Sequence, residues 1–267
     1  MSFNTVTFWS EFPEKVNWKL FSSLIDFNCS VYVLCKNRSN FNKWKLKIKS
    51  KYIDLGAWPA LSFKEGYWFS GLSSKESIDK LKEFQGLKIK LDLEPPIRME
   101  SYSDVVALAY GVEFFLFRQY PRNNYLHKVI YDLSKNTDII ASGYPFPDFV
   151  TKRYGGDIRI NSKIRKNYFI YTSYFPDPFK SLLNVYYKWF IRKRIEEEGN
   201  KAMFALGCIG HGVYGNERIY KNVEEFRKDL GMFNELGVKN LIVFEVAGIM
   251  ERKNPKKWID AIKQYLK

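Results

Sequence analysis

The sequence predicts an α/β chain folded as a single (β/α)8 TIM barrel over residues 1–267. Short runs rich in branched and aromatic residues alternate with amphipathic segments along the chain. That is the pattern of parallel strands joined by crossover helices. Eight such units fit into 267 residues, which matches a closed barrel. An open doubly wound sheet usually has fewer strands and a Gly-rich first turn; no GxGxxG follows the first strand here, and GxxxxGKS/T does not occur.

In chain order, the first strand is predicted over Thr5–Ser10 and is followed by a helical pattern over Lys15–Phe27. Strands two and three are predicted over Val31–Cys35 and Tyr52–Trp58. Ser74 caps a helical pattern over Ser74–Phe84 that carries Ile78 and Leu81 on one face. Strand four, Lys88–Glu94, stops at Pro95-Pro96. The stretch that follows is longer than one unit needs. It predicts a long apolar helix, Ser103–Gln119, and an extra helix, Tyr125–Leu133. Strand five is predicted over Asp138–Tyr144. Pro147–Lys166 is poorly periodic and holds Gly155-Gly156, so it reads as a loop with a short helix. Strand six, Tyr168–Tyr174, leads to the longest helix, Pro178–Glu198. Strand seven is predicted over Met203–Ile209, and the helix Val223–Leu236 ends at Gly237, a fitting C-cap. Strand eight, Leu241–Ala247, precedes a helix over Pro255–Leu266 that opens on proline.

Composition narrows the function classes. No apolar run approaches the ~20 residues needed to span a bilayer. The N-terminal stretch MSFNTVTFWSEF lacks a basic segment followed by an apolar one, so a cytoplasmic protein is expected. Cys29, Cys35 and Cys208 form no metal or redox spacing and are expected as free thiols. With only two histidines no three-ligand metal set is evident, and no cofactor is expected. The net charge is +14, with lysines concentrated at positions 43–51, 188–194 and 252–257. A basic surface can attract nucleic acid, anionic lipid or an anionic polymer. Without a zinc-finger, RNA-recognition or basic-zipper pattern, nucleic acid is an unlikely partner, and a solvated lysine-rich surface is the simpler reading.

Chemistry in such barrels sits at the C-terminal ends of the strands. Strand four carries Asp92 and Glu94 two apart, hence on one face. Like charges that close can leave one acid protonated beside one ionised base. Strand one supplies Trp9 and Glu11, and strand three Asp54 and Trp58. Strand five ends at Tyr144, and strand six at Tyr171 and Tyr174. Strand seven runs into His211, between two glycines. Glu245 lies in the apolar run LIVFEVAG, where an inward carboxylate is favoured. Aromatic faces stack on sugar rings, and paired carboxylates cleave glycosidic bonds.

The run LKIKLDLEPP resembles the DxxDxDxE strand of glycoside hydrolase family 18, the chitinase-like barrels, with the last Asp and Glu at Asp92 and Glu94. Asp54-Leu55-Gly56-Ala57-Trp58, ALGCIGHGVYGN and Phe244-Glu245 echo the family's third, seventh and eighth strands. The resemblance implies Glu94 as general acid and Asp92 as the residue that orients a substrate 2-acetamido group. It also departs: Leu87 and Lys90 stand where the family has its first and middle Asp, and Phe244 replaces its floor Trp. The motif of strand six is not evident in YFIYTSYF.

The resulting expectation is a glycoside hydrolase acting on an oligosaccharide or polysaccharide. Glu94, Asp92 and Glu245 are the candidate catalytic carboxylates. Trp9, Glu11, Asp54, Trp58, Tyr144, Tyr171, Tyr174 and His211 are the candidate substrate contacts. Two alternatives stay open: a non-catalytic glycan-binding barrel, and a metabolic barrel acting on a phosphorylated or anionic small molecule. In the latter, Gly210-His211-Gly212 and Gly248 would hold the phosphate.

Overall fold

The structure is a computed structural model that describes residues 2–97, 109–174 and 179–266. Eight strands form it: β1 Thr5–Ser10, β2 Cys29–Cys35, β3 Ile53–Pro59, β4 Ile89–Asp92, β5 Ile139–Gly143, β6 Ile164–Ile170, β7 Ala202–Leu206 and β8 Asn240–Phe244. All neighbours are parallel, the order follows the chain, and β8 closes on β1. This is a (β/α)8 barrel.

Strand parity divides the core in two. Outward residues such as Phe8, Val31, Val33, Leu91, Ile170, Phe204 and Val243 pack with Phe21, Ile130, Phe190, Phe233 and Ile262 of the surrounding helices. A second cluster fills the barrel and its mouth with Trp9, Tyr32, Trp58, Ile140, Phe169, Met203, Ile242 and Phe244. Tyr32 fits because its inward neighbour on β3 is Gly56, where a Cβ would come within 2.4 Å of the tyrosine ring.

The largest strand displacement from expectation is β6, predicted over Tyr168–Tyr174. Asn161 starts the strand earlier, its Oδ1 accepting from the Lys163 and Ile164 amides at 2.7 and 2.8 Å. Polar Arg165, Lys166 and Asn167 hide the period of the strand. β7 and β8 end earlier than expected. A turn binds the Cys208 amide to Ser173 Oγ at 2.6 Å, and a helix, Val246–Glu251, starts directly after Glu245.

The helix Arg38–Lys47 was not expected. It buries only Phe41 and Trp44, too thin a stripe to show among its lysines and asparagines. The extra helix is present as Asn123–Ser134. The short helix expected within Pro147–Lys166 is Asp148–Tyr154, closed by Gly155 at φ +85°. Of the predicted helix Ser103–Gln119, residues 103–108 lie outside the described residues, and a π-helical turn occupies Val112–Phe117. The predicted start at Pro178 is likewise outside them, and the longest helix is described over Phe179–Glu198. Among the described residues no helix is long and apolar enough to cross a membrane. Cys29, Cys35 and Cys208 are buried free thiols.

Candidate active site

The site is built on β4. Ile89, Leu91 and Leu93 belong to the outer core, so Lys90, Asp92 and Glu94 share the inward face. Proline at 95 and 96 stops the strand there, and Glu94 lies at the C-terminal mouth, partly accessible.

Lys90 is fully buried, and its Nζ lies 2.6 Å from Asp92 Oδ2. The ammonium is also 3.2 Å from the Trp58 ring centroid and 3.6 Å from that of Trp9. Strand register causes this: Ala57 of β3 pairs with Ile89 of β4, which puts Trp58 level with Lys90. A cation against ring faces is attracted by their quadrupoles, more so when dry. Burial pushes the Lys90 amine down and the Asp92 carboxyl up, and each partner opposes the other's shift. The two therefore act as one ion pair. Asp92 Oδ1, Ser142 Oγ, both Asn167 amide atoms and the indole nitrogens of Trp9 and Trp58 meet no strict hydrogen-bond geometry among the described residues, though Ser142 and Trp58 lie close enough to Asp92 to favour its ionised form. Asp92, Ser142 and Asn167 form a row, since β4–β5 and β5–β6 pairing sets Asp92 beside Ser142 and Ser142 beside Asn167.

Glu94 is in a different position. Among the described residues it forms no ion pair, and its Oε2 accepts a hydrogen bond from Tyr144 Oη at 2.6 Å. Desolvation by its surroundings, then the Asp92 charge, raise its pKa to about 8, against the opposing effects of Tyr144 and Lys90. A carboxylic acid that is still protonated at neutral pH can donate a proton.

Glu11, just past β1, is buried and accepts from Tyr67 Oη at 3.2 Å. Burial, then the charge of Glu245, hold its pKa well above the usual carboxylate range. Glu217, unremarked in the sequence, is also buried here. It accepts from the Gly212 and Tyr214 amides at 3.0 and 2.9 Å.

Tyr144, Tyr171, Tyr174 and Tyr214 are partly accessible above these groups. Burial, then Cys208, Asp92, Glu94 and Glu11, push the Tyr171 phenol up, and burial, then Glu94, Glu217 and Glu11, push up that of Tyr214. Tyr171 stacks on Phe244, with centroids 5.9 Å apart, and packs edge-on against Tyr174 at 5.2 Å. The mouth thus joins a desolvated carboxyl, a lysine-bound aspartate and four phenols.

The structure places the remaining candidates differently. Asp54 does not reach this mouth. It is the second residue of β3, with its side chain half exposed at the opposite end of the barrel and paired to Lys88. Trp9 and Trp58 are 0% and 2% exposed, so they floor the site and cage Lys90 and offer no open stacking face. Glu245 is inward and buried, but both its oxygens are engaged: Oε2 accepts from the Glu11 amide at 2.9 Å and Oε1 from the Gly248 amide at 3.1 Å. It caps the helix Val246–Glu251. His211 is exposed on the rim and bonds the Glu217 carbonyl through Nδ1 at 2.8 Å.

The amides of Gly212, Tyr214 and Gly248 are taken by the chain's own carboxylates, and Gly210 is pressed against Gly248, where a Cβ would meet backbone at 2.5 Å. Little is left there to cradle a phosphate. Tyr67 and Glu217 were missed because no local pattern marks them. Lys90 did carry a signal, its shared parity with Asp92. Among the described residues no cluster of three His, Cys, Asp or Glu side chains is placed to hold a metal ion.

Comparison with known proteins agrees with the architecture. No protein-family model matches the chain, and no curated protein matches it in sequence. Among solved structures it is similar to the PgaB (BpsB) glycoside hydrolase domain from Bordetella bronchiseptica. The TM-score is 0.61 at 11% identity, covering 97% of this chain and 99% of that one. It is also similar to concanavalin B, with TM-score 0.53, 8% identity and coverage of 98% and 99%. At these identities the likeness is one of fold.

Proposed function

We propose that the barrel is a glycan-acting hydrolase in which Glu94 is the general acid. The observation that carries this reading is the Glu94 carboxyl itself, desolvated at the C-terminal mouth, hydrogen-bonded by Tyr144 and with a pKa of about 8. Glu94 would protonate the glycosidic oxygen of a sugar lying against Tyr144, Tyr171 and Tyr174; as that C–O bond breaks, water would add to the anomeric carbon and its released proton would restore Glu94. Asp92, held by Lys90 beneath, would present fixed negative charge to the positive charge that develops on the sugar ring. Glu11, steadied by Tyr67, is the further carboxyl at the same mouth. The glycoside hydrolase domain of similar fold supports a carbohydrate ligand for this chain.

A second reading, a glycan-binding barrel without turnover, is favoured by one observation. The Asp92–Lys90 pair is buried, so one of the two strand-four carboxylates is already engaged. The variant E94Q separates the two. With a panel of hexose and N-acetylhexosamine oligosaccharides, calorimetry reads binding and mass spectrometry reads cleavage. The hydrolase reading expects wild-type cleavage that falls about 10²–10⁴-fold in E94Q with binding kept. Binding without wild-type cleavage selects the second reading. Neither binding nor cleavage across the panel overturns both.

A further inference from the structure

The helix Phe179–Glu198 is apolar on two sides. Its inner side buries Tyr187, Phe190 and Ile191 against the barrel. Its outer side presents Leu182, Val185 and Trp189, which are 73%, 68% and 53% exposed. Their spacing of three and four residues aligns them in one stripe. A surface helix normally carries its polar residues there.

Ion pairs from Asp148 to Lys193 and Arg194 tie the helix Asp148–Tyr154 to this one. Lys193 Nζ lies 5.5 Å from the Trp189 ring centroid and 3.8 Å from Asp148 Oδ2, and Phe149, next to Asp148 in the chain, is 72% exposed. Contiguous exposed apolar surface with a tryptophan in it marks a contact site more often than scattered exposed residues do.

The charges around it select the occupant. Lys188 and Arg192 flank the stripe on its own helix, and Lys152 and Arg153 follow Phe149; all four are exposed. Asp148 and Glu197 are already paired, with Arg194 and Lys193. Exposed Glu196 lies in the last turn, beyond the stripe. A second copy would bring this basic rim, and another net charge of +14, against itself. An anionic bilayer surface instead satisfies both features: apolar side chains enter the headgroup–acyl boundary, Trp sits at the interface, and Lys and Arg face lipid phosphates.

We infer that the outer face of the helix Phe179–Glu198, through Leu182, Val185 and Trp189, docks the barrel peripherally on anionic membrane surfaces. Docking of this kind involves no membrane span and does not depend on the hydrolase reading.

Vesicle co-sedimentation of the full chain tests it, comparing phosphatidylglycerol/phosphatidylcholine vesicles with pure phosphatidylcholine vesicles. Wild type is expected to partition onto the anionic vesicles at least tenfold better. The double variant L182S/V185S, at exposed positions that leave the fold intact by circular dichroism, is expected to lose about tenfold or more in partitioning. K188E/R192E is expected to lose binding and its salt dependence together. Equal binding of L182S/V185S and wild type would overturn the inference, because bulk charge alone would then explain the effect. So would failure of wild type to bind, equal binding to neutral vesicles, or a wild-type dimer in ultracentrifugation that L182S/V185S dissociates.

Discussion

Replacing Lys90 with methionine probes the interior of the site. The side chain is fully buried, Asp92 is 2% exposed, and their charged atoms are 2.6 Å apart. Removing the ammonium strands a carboxylate in the barrel, and breaking a buried pair from one side costs about 3–5 kcal/mol. The two ring contacts of the ammonium add up to roughly 2 kcal/mol, partly recovered by the thioether against Trp9 and Trp58. K90M should therefore lose about 3–5 kcal/mol at pH 8. The loss should shrink on acidification. Without Lys90, burial holds the folded-state pKa of Asp92 above its unfolded value, so the folded protein binds the proton more tightly. Stability is then greatest below the unfolded pKa of about 3.9 and falls as pH rises through the folded one. The double variant K90M/D92N carries no buried charge and should recover much of the loss. Urea unfolding of wild type, both single variants and the double variant at pH 5 and pH 8 measures this. A K90M variant within about 1 kcal/mol of wild type at pH 8, or a double variant no more stable than K90M, would refute the argument that Lys90 neutralises Asp92.

Other perturbations test neighbouring contacts. The Tyr144 hydrogen bond favours ionised Glu94, so Y144F should raise the Glu94 pKa further and move the alkaline limb of the rate–pH profile to higher pH. A shift to lower pH would contradict that assignment. G56A drives a Cβ into the Tyr32 ring and should cost about 1–3 kcal/mol in thermal unfolding; an unchanged melt would mean that the ring moves freely. E245A removes a helix cap and the acceptor of the Glu11 amide, for a loss of about 1–3 kcal/mol. E245Q should keep turnover within a few-fold. A 100-fold fall in E245Q at unchanged stability would make Glu245 a catalytic group, about 2.7 kcal/mol of transition-state stabilisation.

Much of this protein is legible in its sequence because strands obey local rules. Branched and aromatic runs closed by Gly or Pro mark eight strands, and strict alternation with helices implies their parallel order. Period two puts Lys90, Asp92 and Glu94 on one inward face without further information. Helix existence is legible where the buried stripe is wide, as in Asn123–Ser134, and not in Arg38–Lys47, where two aromatics do the packing.

Which residues share a level in the barrel is decided only by the tertiary structure. Parity says that Asp54 and Trp58 face the same way, but the pairing of Ala57 with Ile89 sets Trp58 beside Lys90 and leaves Asp54 at the other mouth. The same register buries Trp9 and Trp58 around a cation, though their sequence context suggests sugar platforms. Glu11, Tyr67 and Glu217 meet at one mouth because loops from different strands converge there, and no local spacing encodes that. Glu245 shows the same division. Its inward direction follows from the apolar run around it, but its partners, the amides of Glu11 and Gly248, exist only once β8 has closed on β1. Alternation is a property of a single strand, whereas stagger between strands is a property of the closed sheet.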